Sequence, residues 1–442
     1  MSGINGVSWK NLKPSTPGRL LAWIAVPVLG VLACGLLLAT SIGGVRGGLG
    51  LVGTQDEPEV VAASRLAFDL ETMDGHVADI LLIGNAAGLG ESQSDAYQKF
   101  ENYVSDADTQ LELIGSGIKT IPNGPATYVS IENQLSQYTQ YAAYAMYIDV
   151  QAHGQKAGRP PAAALQAYDH ASTLMKDDGS GILAQAQILY TAEQLAESAP
   201  INAGYGTIWH LQLASGLLLA FIVIRLLIAQ RRLSRAFRRT VNPLLALTTI
   251  GALIFGVLLF SALGAAKSAY GAQGLTGPSS VATLWQARAT AADMHAAESR
   301  WLLQAGNLSA QRATAMTAEQ QTFATGQRWI MALPILSGDV MPELNAYLDD
   351  DVQLTNSVLN GGTSDTHLLA AVAYDTGPSD AAYAKFDSGL TQIIGVDQQA
   401  FAAATVKGEN GLVTWLWLPW LWMLATIALI VFGFAPRLRE YR

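Results

Sequence analysis

The chain has 442 residues, of which 50% are hydrophobic and only 14% charged, with a mean hydropathy of +0.24 and a formal net charge of −9. Ordinary soluble domains carry about 25% charged residues. A purely cytosolic globular enzyme is therefore excluded, and the charge deficit has to be explained by membrane segments.

A basic stretch, residues 1–19, precedes the first span, Leu20 to Ile42. Its apolar run is longer than a signal-peptide core and no convincing small-residue cleavage site follows Thr40, so the span is expected to be retained. The only cysteine, Cys34, lies within it. That excludes an intramolecular disulfide and leaves packing as the reading of the thiol. The glycines from Gly43 to Gly53 read as a connector, not as a phosphate cradle.

Residues 43–207 lack the Val/Ile/Thr alternation of strands and are rich in Ala, Gln, Leu and Asp, so helices are expected. Glu57 to Ile83 has an apolar stripe through Val60, Leu66, Met73, Val77, Ile80 and Leu81, and Gly84 to Gly90 end it. Glu91 to Ile114 forms a second helix. A third follows Pro122 to Pro125 and runs to about Ala152, and Gly154 to Pro161 break the chain again. Ala162 to Glu197 is the fourth, with Gly179-Ser180-Gly181 as an interruption. Four amphipathic helices with short turns predict an up-down bundle. The third carries Tyr138, Tyr141, Tyr144 and Tyr147. Spacing of three drifts around a helix of 3.6 residues per turn, so the four rings cannot share one core. Some must lie at a surface or between domains, read either as an interaction surface or as core plus bundle-to-bundle contact.

Ile208 to Ala229 is the second span and Pro243 to Ala265 the third, joined by the basic loop 230–242. Arg225 lies near enough to the end of its span to snorkel. Ala252-xxx-Gly256 would allow close approach of another helix. Residues 266–412 read as a second bundle: Val281 to Ala305, Leu308 to Leu333, Val340 to Leu359, and a two-part helix from Asp365 to Lys407. A shift of 221 residues aligns Met73 with Met294 and Leu81-Leu82 with Leu302-Leu303. Two copies of a span, bundle, span unit follow. Val413 to Phe434 is the fourth span; Trp415, Trp417, Trp420 and Trp422 suggest an aromatic belt and Pro419 a bend. Residues 435–442 close the chain. Gly204, Gly206, Gly408 and Gly411 fall between bundle and span, which argues against a rigid piston through one continuous helix.

Twelve of the 26 basic residues and only Glu440 among the 35 acidic ones fall in residues 1–19, 225–242 and 435–442. That side is expected to be cytoplasmic, at about +11, leaving about −20 on the extracytoplasmic side with both bundles. The overall expectation is an all-α membrane protein with four transmembrane helices and two extracytoplasmic four-helix bundles.

No phosphate loop, zinc helix or nucleophile elbow occurs, so neither an enzyme nor a cofactor is expected. The six histidines form no pair at i, i+4. Asp349-Asp350-Asp351 covers more than one helix face, so a solvated surface is favoured over a calcium site. An acidic outer side disfavours nucleic acid as a partner. In the basic loop, Arg231, Arg232, Arg235, Arg238, Arg239 and Asn242 serve either as lipid anchors or as a docking and transmission element. Ser234 and Thr240 lie among them as candidate phosphorylation sites.

The layout resembles the ligand-binding region of bacterial chemoreceptors and sensor kinases, here duplicated. The R-R-L-S-R-A-F-R-R-T-V-N-P stretch from Arg231 and A-Y-D-H-A-S-T-L-M from Ala167 look like four-pass actinobacterial membrane proteins encoded beside a glutamine-type solute-binding lipoprotein and the soluble serine/threonine kinase protein kinase G. The resemblance implies a relay of an acidic-amino-acid signal from lipoprotein to kinase. The chain departs from chemoreceptors in lacking a HAMP linker, a kinase domain and a signalling coiled coil. A transporter accessory subunit and a cell-envelope scaffold are the rival readings, and homodimerisation is left open.

Overall fold

The computed structural model describes residues 16–51, 57–118, 121–152, 156–237, 242–272, 278–307, 310–334, 336, 340–361 and 364–439. The regular structure among them is helical: α1 Thr16–Leu51, α2 Glu57–Ile83, α3 Gln93–Gly117, α4 Gly124–Gln151, α5 Ala162–Lys176, α6 Ile182–Phe237, α7 Pro243–Ala272, α8 Pro278–Gly306, α9 Ala310–Met331, α10 Met341–Gly361, α11 Asp365–Tyr374, α12 Asp380–Val413 and α13 Leu418–Arg439. Turn chemistry sets the breaks. Gly84, Gly88, Gly158 and Gly179 take positive φ, as does Asn123 before α4, where the left-handed region is open to glycine and tolerated by asparagine. Gly179 thus separates α5 from α6 where the sequence suggests an interruption. Ser92 caps α3 by accepting from the Asp95 amide at 3.1 Å.

Two compact units emerge, one of Met1–Leu51, Pro200–Gly271 and Ala403–Arg442, the other of Val52–Ala199 and Ala272–Ala402. The first contains four helices long and apolar enough to cross a membrane. Small residues set their spacing: a Cβ on Gly30 would lie 3.1 Å from Ile222, and one on Gly35 2.8 Å from the Met423 sulfur. Cys34 is buried in this core.

Two tryptophans depart from the belt expectation. Trp415 and Trp422 are buried against Phe255 of α7, with ring centroids 5.4 and 4.2 Å apart, while Trp417 and Trp420 stay exposed. Pro419 does not bend a continuous helix. A 3-10 turn over Thr414–Leu416 separates α12 from α13, so the proline sits in a first turn, where its missing N–H is harmless. Gly204, Gly206, Gly408 and Gly411 do not interrupt their helices: α6 and α12 remain helical through them, and none takes positive φ.

In the second unit, the duplicated sequence predicts two separate bundles. Instead both segments close into one unit, because α2 and α8 turn little to solvent beyond half-exposed side chains such as Arg65. No described residue of either helix is exposed, the pattern of a helix buried all round. One core gathers Leu66, Met73 and Leu81 of α2 with Leu302 and Leu303 of α8 and Leu354 of α10. The other joins Phe68 of α2 to Trp285, Met294 and Phe386. Between α11 and α12 the chain stays helical through a π turn, Asp375–Ser379, that accommodates Pro378.

Candidate functional site

Phe68 meets Trp285, Gly75 meets Ala296 and Asp79 meets Ser299, so contacts advance together along α2 and α8 and the two helices run parallel. Gly75 and Ala296 are equivalent positions in the 221-residue shift. A Cβ built on Gly75 would lie 3.0 Å from the Ala296 Cβ. Like faces like across this axis, the arrangement of an isologous dimer interface contained in one chain.

Charge, not only hydrocarbon, fills the seam. Arg300 is 1% exposed. Its Nη1 donates to Asp74 Oδ2 at 3.2 Å, Nη2 to Asp293 Oδ1 at 2.8 Å and Nε to Glu319 Oε2 at 2.9 Å. Lys176 pairs with Asp293, and with Glu71 at 3.3 Å. Tyr138 and Tyr168 donate to the two oxygens of Asp74 at 3.0 and 3.2 Å. Burial and the Asp74 carboxylate push both phenols well above their usual range, so they remain donors. Burial also raises Glu71 to about 8, with Asp293 adding to the effect. For Asp293, burial acts upward, but Lys176 and Arg300 outweigh it and bring the group down to about 2.

Tyr138 is therefore not part of an exposed surface: its ring is buried and its hydroxyl committed to Asp74. Three steps of three residues turn a helix through about half a revolution, which carries Tyr147 to the opposite side. Tyr144 and Tyr147 are 58% and 61% exposed, and Tyr141, beside the His170 ring at 5.6 Å, is also exposed. Those three form a surface face with Val150.

Of the basic-loop residues, Arg238 and Arg239 lie outside the described residues, as does Thr240. Arg235 lies on α6 and Arg231 is exposed. Arg232 stacks its guanidinium over the Trp23 ring at 4.4 Å. Asn242 caps α7 by accepting from the Leu244 amide at 3.1 Å, and donates to the Gly433 carbonyl at 2.8 Å. It joins the loop end to the fourth span, a structural tie that its place among arginines does not advertise. The acidic run divides: Asp349 is exposed, Asp350 accepts from Tyr374 at 2.5 Å, and burial with Glu298 nearby raises Asp351 to about 7.

Neither the Arg300 network nor the acidic group around His76 and Asp79 was among the sequence candidates. Their residues are far apart in the chain, and a search for histidine pairs passes over a His-x-x-Asp spacing. The available signal was unpaired charge on helices otherwise apolar all round.

The class is that of an all-α, multi-pass membrane protein with a large polar helical unit between spans. The family model of the actinobacterial sensor domain matches residues 48–199, so α2 to α5 and the start of α6 are similar to a sensor domain. No curated protein and no solved structure matches the chain.

Proposed function

We propose that this protein is a membrane sensor that passes an extracytoplasmic signal, an amino-acid nutrient in the first instance, to a cytoplasmic serine/threonine kinase. The observation that carries this reading is the α2–α8 seam, half of which lies in the sensor-like residues 48–199. Buried ion pairs are poor sources of net stability, because desolvation offsets their attraction. A seam held by them is suited to two packings of similar free energy, one of which a bound partner favours. The parallel pair also supplies within one chain the two-fold contact that a homodimer would otherwise provide.

In this reading the polar unit is extracytoplasmic and both termini and the loop 230–242 are cytoplasmic, by the distribution of arginine and lysine. A solute-binding lipoprotein docks on the Tyr141, Tyr144 and Tyr147 face, since exposed tyrosines are favoured at interfaces. The kinase reads the arginines of the loop. Photo-crosslinking side chains at Tyr144 and at Arg235, activated in intact membranes, test this directly. Tyr144 should capture a solute-binding lipoprotein and Arg235 a serine/threonine kinase; recovery of neither removes the proposal.

A further inference from the structure

The 221-residue shift aligns Asp74 with His295 and Asp79 with Arg300. On one flank of the seam Arg300 answers Asp74. On the other flank the guanidinium's counterpart is itself an acid, Asp79, and carboxylates gather there without an arginine. His76 and Asp79 lie one turn apart on α2, with Nδ1 3.3 Å from Oδ2. Glu91 closes over them from the turn before α3, and ligand atoms of the three residues lie within 4.8 Å of one another. From α8, the Ser299 hydroxyl donates to Asp79 Oδ1 at 2.6 Å and stands 3.2 Å from Asp375 Oδ2 in the π turn.

One hydroxyl carries one proton and serves one carboxylate at a time. Asp375 is 1% exposed, and its Oδ1, like His76 Nδ1, has no hydrogen-bond partner among the described residues. The cations nearby are shared with other acids. Lys99 Nζ lies 2.8 Å from Glu91 and 4.0 Å from Asp380, and His295 contacts Glu298 at 3.1 Å and Asp380 at 3.6 Å. Burial, with Asp79 and Glu298 adding to it, holds the Asp375 carboxyl well above the usual carboxylate range and so protonated, which leaves Asp79 and Glu91 as the carboxylates that a further cation would face.

We propose that His76, Asp79 and Glu91 form a binding site for a divalent transition-metal cation of the zinc or manganese type. One imidazole with carboxylates suits those ions, whereas calcium and magnesium favour oxygen ligands alone. Lys99 holds the place of the cation at Glu91. Metal binding displaces its ammonium toward Asp380, which it already approaches. The turn lies close to the π turn because residue 90 is glycine: a Cβ there would overlap the backbone of Thr376 and Gly377. A bound ion would therefore tie α2 and the α2–α3 turn together, and through Ser299 and Asp375 would steady the contact between the two halves of the unit. This inference stands independently of the relay, since it concerns ligand chemistry within one unit.

The test uses the full chain, purified in detergent, stripped with a chelator and titrated calorimetrically with Zn²⁺, Mn²⁺, Ca²⁺ and Mg²⁺. Zn²⁺ or Mn²⁺ should bind at about one ion per chain and raise the thermal midpoint, with Ca²⁺ and Mg²⁺ far weaker. His76→Ala and Glu91→Gln should each weaken binding by at least the roughly tenfold expected for loss of even an outer-shell partner. Lys99→Ala, which removes the competing ammonium, should tighten it. Opposite shifts from Glu91→Gln, in the turn, and Lys99→Ala, on the half-exposed side of α3, separate ligand loss from misfolding even if His76→Ala does not fold. Absence of stoichiometric Zn²⁺ or Mn²⁺ binding overturns the proposal. So does binding that His76→Ala and Glu91→Gln leave unchanged.

Discussion

Asp74 shows why a single carboxylate can be buried between two helices. It accepts from two phenols and a guanidinium, so its charge is both solvated by donors and neutralised. Arg300→Met removes the guanidinium while leaving Asp74, Asp293 and Glu319 in place. Breaking a buried pair from one side costs about 3–5 kcal/mol, and urea unfolding of the purified protein should show a loss of that order. Adding Asp74→Asn removes the stranded charge but keeps an oxygen for one phenol, so the double variant should recover part of the loss. If the two single losses simply add, the Asp74–Arg300 contact is not a coupled pair. At this scale the sequence was only partly legible. The periodicity of Tyr138 to Tyr147 requires that the rings diverge, and they do, but nothing local says that Tyr138 is the one whose hydroxyl finds a buried acid. That partner lies 64 residues away.

Helices were the most readable element, because their limits are local. Glycines with positive φ, a serine cap and prolines in first turns mark the ends, and α2 runs over the range its apolar stripe predicts. The pairing of α2 with α8 was not readable in the same way. A stripe tells a helix that it has a partner, not which one, and the all-round burial of α2 reveals a second partner only once the first is in place. The 221-residue alignment did hold the missing clue, since equivalent residues of a repeat meet across a two-fold axis. Gly75→Cys with Ala296→Cys tests that register. Their Cβ atoms would stand at 3.0 Å, inside the usual disulfide spacing, so after a small outward adjustment mild oxidation should close a bond within the chain, seen as a shift in non-reducing electrophoresis after cleavage in the loop between the halves. Cys34 is buried in the other unit and should not compete. A control pair such as Gly75→Cys with Ala292→Cys, one turn out of register, should close far more slowly. Gly75→Leu should force the helices apart and destabilise the unit by about 1–3 kcal/mol.

For the whole molecule, the low charge that marks the sequence hides an uneven distribution. The membrane unit is poor in charge, while the polar unit buries acids between its helices, and those acids set how stability depends on pH. Burial raises Asp69 to about 7, with Asp106 adding to it and Arg65 opposing it. Glu71 rises to about 8 and Asp351 to about 7, again chiefly by burial. In the unfolded chain all three ionise near pH 4. Between about pH 4 and pH 7 to 8 the folded state thus holds protons that the unfolded state has released, and stability falls as pH rises. Asp293, lowered to about 2, acts in the opposite sense, but its contribution is complete above about pH 4 and is lost only as pH drops toward 2. Across the neutral range the raised acids therefore dominate, each by about 1.4 kcal/mol per pH unit while it differs between states. Thermal unfolding of the detergent-solubilised protein should show a midpoint that declines from pH 5 to pH 8. Asp69→Asn with Glu71→Gln keeps those two groups neutral at every pH, so that variant should be less stable or equal at pH 5, more stable at pH 8, and should decline less steeply between, Asp351 still contributing. A wild-type midpoint that climbs over the same range would mean that these carboxylates are ionised in the folded protein and held by cations as Asp74 is held by Arg300.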